Sequence, residues 1–361
     1  MKFAAVILAA GLSSRMGALK PVLPVGGERA VERAQRILRE AGVSNIVMVT
    51  GHRRAEVERF AAAGTAVAYN AEYASGMFSS VRTGVAALGA NFGDDYDAFF
   101  MLPADCCVVP VEVLRQVADA YAGSVVYPMF GGKRGHPPLI PRSLADGLLR
   151  YNGDGGTKGY LAAFHGVEVE TGDARVLLDM DTPQGYADVL RSLGLATYPD
   201  DARCAELLAN TPEDIVRHGR EVRDLAVRLA SELNARGAAI DVGLLASSAL
   251  LHDIARAEND HAAVAAARLL ELGYPDASRV VATHMDLPDG DAVGEAELLY
   301  LADKLSRSGE IVAPQATLDA LIARFGADSE AASSARVRMA RAEAIIGLIK
   351  KRYGFEITFI D

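Results

Sequence analysis

Leu8-Ala-Ala-Gly-Leu-Ser-Ser-Arg-Met-Gly-Ala-Leu-Lys20 is the stretch on which the reading of the whole chain turns. It follows a short apolar run, Phe3 to Leu8, that reads as a buried strand. Two glycines, two serines, one arginine and one lysine then fall within thirteen positions. Such a loop can turn backbone N–H groups toward an anion while its two cations neutralise the charge. It is not a Walker A loop, because Gly11 and Gly17 are six apart and Lys20 does not directly follow the second glycine. The dinucleotide fingerprint is absent too, since no glycine sits two positions after Gly11. For this stretch alone, an ordinary strand-to-helix turn with solvated charges is the simpler alternative.

Working outward, strand and helix signals alternate. Ala30 to Ala41 has helical periodicity and stops at Gly42; Asn45-Ile-Val-Met-Val-Thr50 is β-rich; Arg53 to Ala63 predicts a charged helix. Val67 to Tyr69 predicts a short strand, Gly76 to Leu88 a helix, and Asp97-Ala-Phe-Phe-Met-Leu102 another buried strand. This rhythm predicts an α/β domain with a mostly parallel, Rossmann-like sheet covered on both faces. Ligands on such sheets sit beyond the C-terminal ends of the strands. The first loop and Pro103-Ala-Asp105 both fall at that edge.

Beyond Leu193 the character changes. Gly194 to Asp201 predicts a connector, and the chain from Cys204 to Lys351 reads as helices. The helices are expected over Pro212–Arg236, Asp241–Asp253, His261–Leu272, Asp276–His284, Glu295–Ser306, Gln315–Arg324 and Glu330–Lys351. Phe355-Glu-Ile-Thr-Phe359 predicts a terminal strand, and the Ala-rich helix before it a packing or dimer contact. The expected domains are 1–197, α/β, and 204–361, all-α, with a break near 195–205.

Composition agrees with that division. A chain of 361 residues suits two or three domains, and 50% apolar with 23% charged residues is a globular balance. The formal net charge of −10 argues against a nucleic-acid or anionic-membrane partner, while leaving room for a local basic pocket that takes phosphates. Cys106, Cys107 and Cys204 are too few for a disulfide framework and lack the C-x-x-C spacing of a zinc site. With neither a signal peptide nor a membrane span in view, a cytoplasmic location is expected.

Asp105 follows an apolar strand, where a carboxylate could hold Mg²⁺ against a triphosphate; magnesium takes one or two carboxylates plus substrate phosphates. A second carboxylate would come from Asp179-Met-Asp181-Thr-Pro183. Only one of Asp179 and Asp181 is expected to meet the metal. Taken together, Leu8-Ala-Ala-Gly-x-Ser-x-Arg-Met-Gly-x-x-Lys20, Asn70 to Met77 with Ser79-Ser80, Arg134-Gly-His-Pro137, Gly153-Asp-Gly-Gly156 and Asp181-Thr-Pro183 resemble the molybdopterin nucleotidyltransferases. Within that group the sequence is most similar to the molybdenum cofactor cytidylyltransferase family, over roughly residues 1–195.

The resemblance implies transfer of a nucleoside monophosphate to the pterin phosphate with release of pyrophosphate. It implies that Leu8, Ala9, Ala10 and Gly11 recognise the base, that Ser13, Arg15, Gly17, Lys20 and Ser80 complete the nucleotide site, and that Arg15, Lys20 and Asp105 are catalytic. Asp105 and Asp181 would hold Mg²⁺, and Arg134, Gly135, His136, Gly153 and Asp154 would form the pterin side. A structural role for His136 beside a turn is equally open. In this family group Ala-Ala-Gly goes with CTP and Gly-Gly variants with GTP, so the expected substrates are CTP and molybdopterin, with a molybdenum hydroxylase apoenzyme as a further partner. One departure is that many relatives place a proline two residues after the metal aspartate, where this chain has Cys107. Two other readings keep their place: another acceptor such as a sugar phosphate, and a non-catalytic cofactor-insertion chaperone.

The helical half carries a separate constellation. His218 lies on a predicted helix, His252-Asp253 ends an apolar run, and His261, His284 and Asp303 follow. Imidazole and carboxylate together suit Mn²⁺, Fe or Zn²⁺, and a bound metal makes water a nucleophile near neutral pH. The order His…His-Asp…His…His…Asp resembles the HD-domain metal-dependent phosphohydrolases over roughly 210–310. It implies His218, His252, Asp253 and Asp303 as primary ligands, with His261 and His284 as the extra ligands of two-metal members, and a helical half that is either a metal-dependent phosphohydrolase or a metal-bound regulatory domain.

Overall fold

The apolar run after Lys2 forms β1 (Phe3–Ala9), in which Ala4 to Ile7 are fully buried. Burial on both faces is what a continuous apolar strand inside a parallel sheet requires. A two-residue ribbon follows, β2 (Pro24–Val25) with β3 (Glu28–Arg29), and then β4 (Asn45–Thr50), β5 (Thr65–Tyr69) and β6 (Ala98–Pro103). The later strands are β7 (Val125–Phe130), β8 (Lys133–Arg134), β9 (Leu139–Pro141) and β10 (Gly166–Glu170). The computed structural model describes residues 1–307 and 310–359.

The main sheet runs β10-β7-β9-β6-β1-β4-β5, with β8 beside β7. It is mostly parallel: β1 pairs β4 and β6, β4 pairs β5, and β7 pairs β10 in parallel. β9 lies antiparallel between β6 and β7 and so joins two parallel blocks. Leu8 faces Val49 on one side and Pro103 on the other. The C-terminal ends of β1, β4 and β6 therefore open on one edge, which is where the first loop and Asp105 emerge.

Seven helices cover this sheet: α1 (Ala30–Glu40), α2 (Arg54–Glu58), α3 (Met77–Phe92), α4 (Val111–Asp119), α5 (Ala145–Arg150), α6 (Gly156–Leu161) and α7 (Pro183–Ser192). α3 lies on β1 and β4 and meets α5 and α6, while α1 packs with α4 and β1. Gly84 permits the close approach of α3, because a Cβ there would fall 2.3 Å from Val6 Cγ1 and 2.9 Å from Val49 Cγ2. Gly84→Ala is expected to cost about 1–3 kcal/mol through overpacking. The measurement is urea unfolding of the full chain; an unchanged midpoint would contradict the packing.

Two expectations in this half need correction. The charged helix over Arg53–Ala63 is only the five residues of α2, because Arg53 sits in the left-handed region and Val57 is the single buried residue of that helix. Turns at Phe60 and Ala61 carry the chain onward instead. The strand expected at Val67 begins earlier, at Thr65.

Backbone contacts divide the chain into two compact units, Met1–Leu195 and Ala196–Asp361. The second contains α8 (Asp201–Leu208), α9 (Glu213–Asn234), α10 (Val242–Leu251), α11 (His261–Glu271), α12 (Pro275–Ala282), α13 (Glu295–Leu305), α14 (Pro314–Phe325) and α15 (Glu330–Tyr353). A two-residue ribbon, β11 (Ser306–Arg307) with β12 (Glu310–Ile311), was not expected. α9 buries a stripe through Val216, Val222, Leu225, Leu229 and Leu233, the one-sided spacing of an amphipathic helix. α10 is buried almost all round and is the central helix of this unit.

The expected connector is not bare chain. Asp200 caps α8 through the Arg203 N–H, Tyr198 Oη meets Asp241 Oδ1 at 3.2 Å, and the Thr197 carbonyl accepts from the Asp276 N–H. α15 buries Met339, Ala342, Ile345 and Ile349 in the core of its own unit. Phe355 to Phe359 is not a strand: the five residues find no ladder partner among the described residues. No helix among the described residues is long and apolar enough to cross a membrane.

Candidate active site and candidate metal centre

The loop after β1 lines a cleft of about 400 Å³ at the C-terminal edge of the sheet. Leu8, Ala9, Ala10, Gly11, Ser13, Arg15 and Lys20 form one wall. Gly76, which caps α3, and Met77 and Ser80 in its first turn form another, and Asp105 and Asp181 also line the cleft. A helix N-terminus carries unpaired N–H groups and a partial positive charge, so this wall favours an anion.

Local bonds fix the loop. Ser13 adopts a left-handed conformation at φ 56°, its carbonyl accepts from Met16 and Gly17, and its Oγ accepts the Lys20 N–H at 3.2 Å. The Ala104 N–H donates to the Leu8 carbonyl at 3.0 Å, tying the Asp105 loop to the end of β1. Asn70, itself buried, donates to Ser79 Oγ at 2.8 Å and Ser80 Oγ at 3.0 Å and so orients the start of α3.

The charged residues converge. Lys20 Nζ bonds Asp105 Oδ2 and, at 2.7 Å, Asp181 Oδ1, while Arg15 meets Asp181 Oδ2 at 2.5 Å. The Lys20 and Asp105 side chains are only 16% and 14% exposed, so this contact is poorly screened by water. Burial works to lower the Lys20 pKa, but Asp105 and Asp181 outweigh it and raise it, so the ammonium stays charged. The hydrogen bond from Lys20, with the charge of Arg15, holds Asp181 below the usual carboxylate range. Two carboxylates facing one another across one ammonium are a hard-oxygen donor set, which fits magnesium bound with substrate phosphates.

Other predicted residues lie elsewhere. Gly17 is not among the cleft-lining residues; at φ 77° it closes the turn begun by Ser13. Asp179 does not compete with Asp181, because the segment turns and Asp179 Oδ1 accepts the Asp181 N–H at 2.9 Å. Arg134 is also outside the lining: it pairs with Glu168 at 2.8 Å and stacks on the Tyr127 ring at 4.1 Å. The Gly135 N–H donates to the Pro128 carbonyl and the His136 N–H to the Val176 carbonyl, both at 2.8 Å. His136 is open at the surface but crowded by protein atoms; that desolvation lowers its pKa against the pull of Asp105 and Asp179.

Gly153 and Asp154 sit in a loop beside the cleft rather than in its lining. A Cβ at Gly153 would lie 3.3 Å from Phe78, the Tyr151 hydroxyl donates to the Asp154 carbonyl at 2.6 Å, and the Phe78 and Tyr151 rings pack edge to face. Cys106 and Cys107 are buried; desolvation pushes Cys106 well up and Cys107 to about 12, so both are inert thiols. Sequence reasoning did not single out Met77 or Tyr73 in the cleft. Their signal was the segment Asn70–Met77, whose backbone rather than composition decides what it faces.

In the second unit all six predicted residues converge. His218 Nε2 lies 3.2 Å from Asp303 Oδ1, and His252 Nε2 lies 3.4 Å from the same oxygen. Asp253 Oδ2 is 3.5 Å from His252 Nε2, whereas Asp253 Oδ1 faces His261 Nε2 at 3.3 Å and His284 Nε2 at 3.6 Å. His252 and Asp253 stand at the C-terminal end of α10, where that buried helix delivers them to the interior. The Nδ1 atoms of His252 and His284 each meet a backbone carbonyl at 2.8 Å, Ala249 and Val281, which leaves Nε2 directed inward.

This cluster fits a metal. His252 Nε2 and Asp253 Oδ1 are buried without a hydrogen-bond partner, and an orphaned donor or acceptor of that kind is costly unless a ligand satisfies it. Ligand atoms of His218, His252 and Asp303, and of His252, Asp253 and His284, lie within 4.8 Å of one another. Burial opposes ionisation of Asp253, but His284, His252 and Arg256 overcome it, and the carboxyl is held well below the usual range. For Asp303 the same opposition is overcome by Lys304, His218 and His252. Arg256 and Lys304 were not anticipated; each bonds one of the two aspartates, and their only sequence signal was adjacency, three positions after Asp253 and one after Asp303.

The comparisons with known proteins follow the same division. Residues 5–171 match the family model of the MobA-like NTP transferase domain, and residues 215–308 match that of the HD domain. Molybdenum cofactor cytidylyltransferase of Escherichia coli (strain K12) is 29% identical over 184 residues, covering 50% of this chain and 92% of that protein. Among solved structures, Rv0371c from Mycobacterium tuberculosis H37Rv is 24% identical with a TM-score of 0.46, over 53% of this chain and 98% of that one. A nucleotidyl transferase from Methanothermobacter thermautotroptrophicus gives 24% and 0.46, over 53% and 97%. The first unit thus matches the MobA-like NTP transferase domain and the second the HD domain.

Proposed function

We propose that the first unit transfers CMP from CTP to the phosphate of molybdopterin and releases pyrophosphate, and that the second is a metal-dependent phosphohydrolase. The observation that carries the first part is the meeting of Lys20, Arg15, Asp105 and Asp181 at one cleft. The 29% identity to a molybdenum cofactor cytidylyltransferase supports the choice of nucleotide and acceptor.

In this reading the backbone of Leu8 to Gly11 takes the base, and Arg15 and Lys20 take the triphosphate. A phosphate oxygen of the pterin attacks the α-phosphorus, the bond from that phosphorus to the bridging oxygen breaks, and pyrophosphate leaves with the electron pair. The attacking phosphate is already anionic, so no side-chain nucleophile is required; positioning and charge stabilisation carry the rate. Asp105 and Asp181 would hold Mg²⁺, which neutralises charge on the phosphates when bound. In the second unit the six histidines and aspartates would hold Mn²⁺, Fe or Zn²⁺, which supplies an activated water when bound.

Purified full-length protein with Mg²⁺ is expected to consume CTP only when molybdopterin is supplied. Equal turnover with a sugar phosphate, or with GTP in place of CTP, would overturn the assignment of acceptor or of nucleotide.

A further inference from the structure

We infer that Lys20 is the resident counter-ion of the Asp105–Asp181 pair, and that a divalent cation replaces it only when a nucleoside triphosphate draws the ammonium away. This rests on the nucleotidyl-transfer reading above. Lys20 Nζ occupies the space between the two carboxylates, and Arg15 takes the remaining oxygen of Asp181. Two carboxylates and two cations sum to no formal charge, and Asp179, the next carboxylate, is tied by one oxygen to the Asp181 N–H. A free divalent ion therefore meets a site that is already neutral and must expel an ammonium to enter.

A triphosphate changes the balance because it offers both cations a stronger partner. Only the Lys20 side chain has to move: its N–H is held by Ser13 Oγ, and its carbonyl accepts from the Leu23 N–H at 3.1 Å. The loop that would receive the phosphates, Gly11 to Arg15, lines the same cleft, within reach of a four-carbon side chain. Nucleotide and metal are then coupled, and the coupling is reciprocal: each tightens the other by the same factor.

Lys20 therefore has two effects of opposite sign, and removing it separates them. Mn²⁺ binding to the full chain is measured by titration with and without CTP, in wild type, Lys20→Met, Lys20→Gln and the double variant Lys20→Met/Asp105→Asn. Both single variants are expected to bind Mn²⁺ at least tenfold more tightly than wild type without CTP, and CTP at least tenfold more weakly. The Mn²⁺ gain is expected to vanish in the double variant, which separates it from binding at the histidine cluster. Single variants that bind CTP more weakly but Mn²⁺ no more tightly would overturn the inference and leave Lys20 a phosphate ligand only. A wild type that binds no CTP with Mn²⁺ present would overturn the nucleotidyl-transfer reading, and the order of binding with it.

Discussion

Asp105→Asn is expected to lower CMP transfer by about 10³-fold in kcat, with KM for CTP changed far less. The substitution keeps the size and shape of the side chain and removes its charge. That charge matters most where it is least screened, and Asp105 is 14% exposed beside an ammonium that is 16% exposed. Removing one preorganised electrostatic group from such a site typically costs 10²–10³-fold, and here the lost group is also a proposed metal ligand. Lys20 keeps its bond to Asp181, so the fold is expected to lose only about 1.5–3 kcal/mol, the worth of one charged hydrogen bond. Single-turnover kinetics separates chemistry from binding, and thermal unfolding tests the fold. If the variant still supported full activation of a molybdenum hydroxylase, catalysis at this site would be ruled out and the chaperone reading would take its place.

The features legible in the sequence were those that local patterns carry. The buried run at Phe3, the β-rich run at Asn45 and the apolar run before Pro103 stand as β1, β4 and β6, and their parallel pairing follows from the alternation with helices. The loop of small residues and two cations does line a cleft with Asp105 and Asp181, because β1 and β6 end at the same edge of the sheet and the turn before α7 brings Asp181 to it. Arg134 was not legible in the same way. Its motif places it near a turn, but Glu168 and Tyr127, on strands that follow or precede it, decide where its guanidinium goes. The helix expected at Arg53 fails for a related reason: charge periodicity without a buried face gives little tertiary support. The Lys20 bridge between two carboxylates joins positions 85 and 161 residues away, a distance over which no spacing rule operates.

Asp253→Ala is expected to remove all metal from the helical unit, whereas His261→Ala removes at most part of it. The difference follows from how the carboxylate is shared. Asp253 turns Oδ2 to His252, with His218 beyond at 3.9 Å, and Oδ1 to His261 and His284. His261 touches only the second set, and at 17% side-chain exposure it stands nearer the surface than the buried His252 and His284. Loss of a shared ligand therefore unmakes both positions, while loss of an outer one leaves His218, His252, Asp253 and Asp303 in place. Bound Mn, Fe or Zn in purified protein, counted by elemental analysis, gives the stoichiometry. Metal at a hundred times its Kd stabilises a binding fold by about 2.7 kcal/mol, so wild type should gain thermal stability on Mn²⁺ addition and Asp253→Ala should not. The titration belongs near neutral pH or above, because the ligating imidazoles must be unprotonated while both aspartates are already held ionised. An Asp253→Ala protein that kept its full metal content, or the same Mn²⁺-induced rise in Tm, would show that Asp253 is not the shared ligand, and wild-type protein without stoichiometric Mn, Fe or Zn would show that the six residues form a packed polar cluster and not a metal centre.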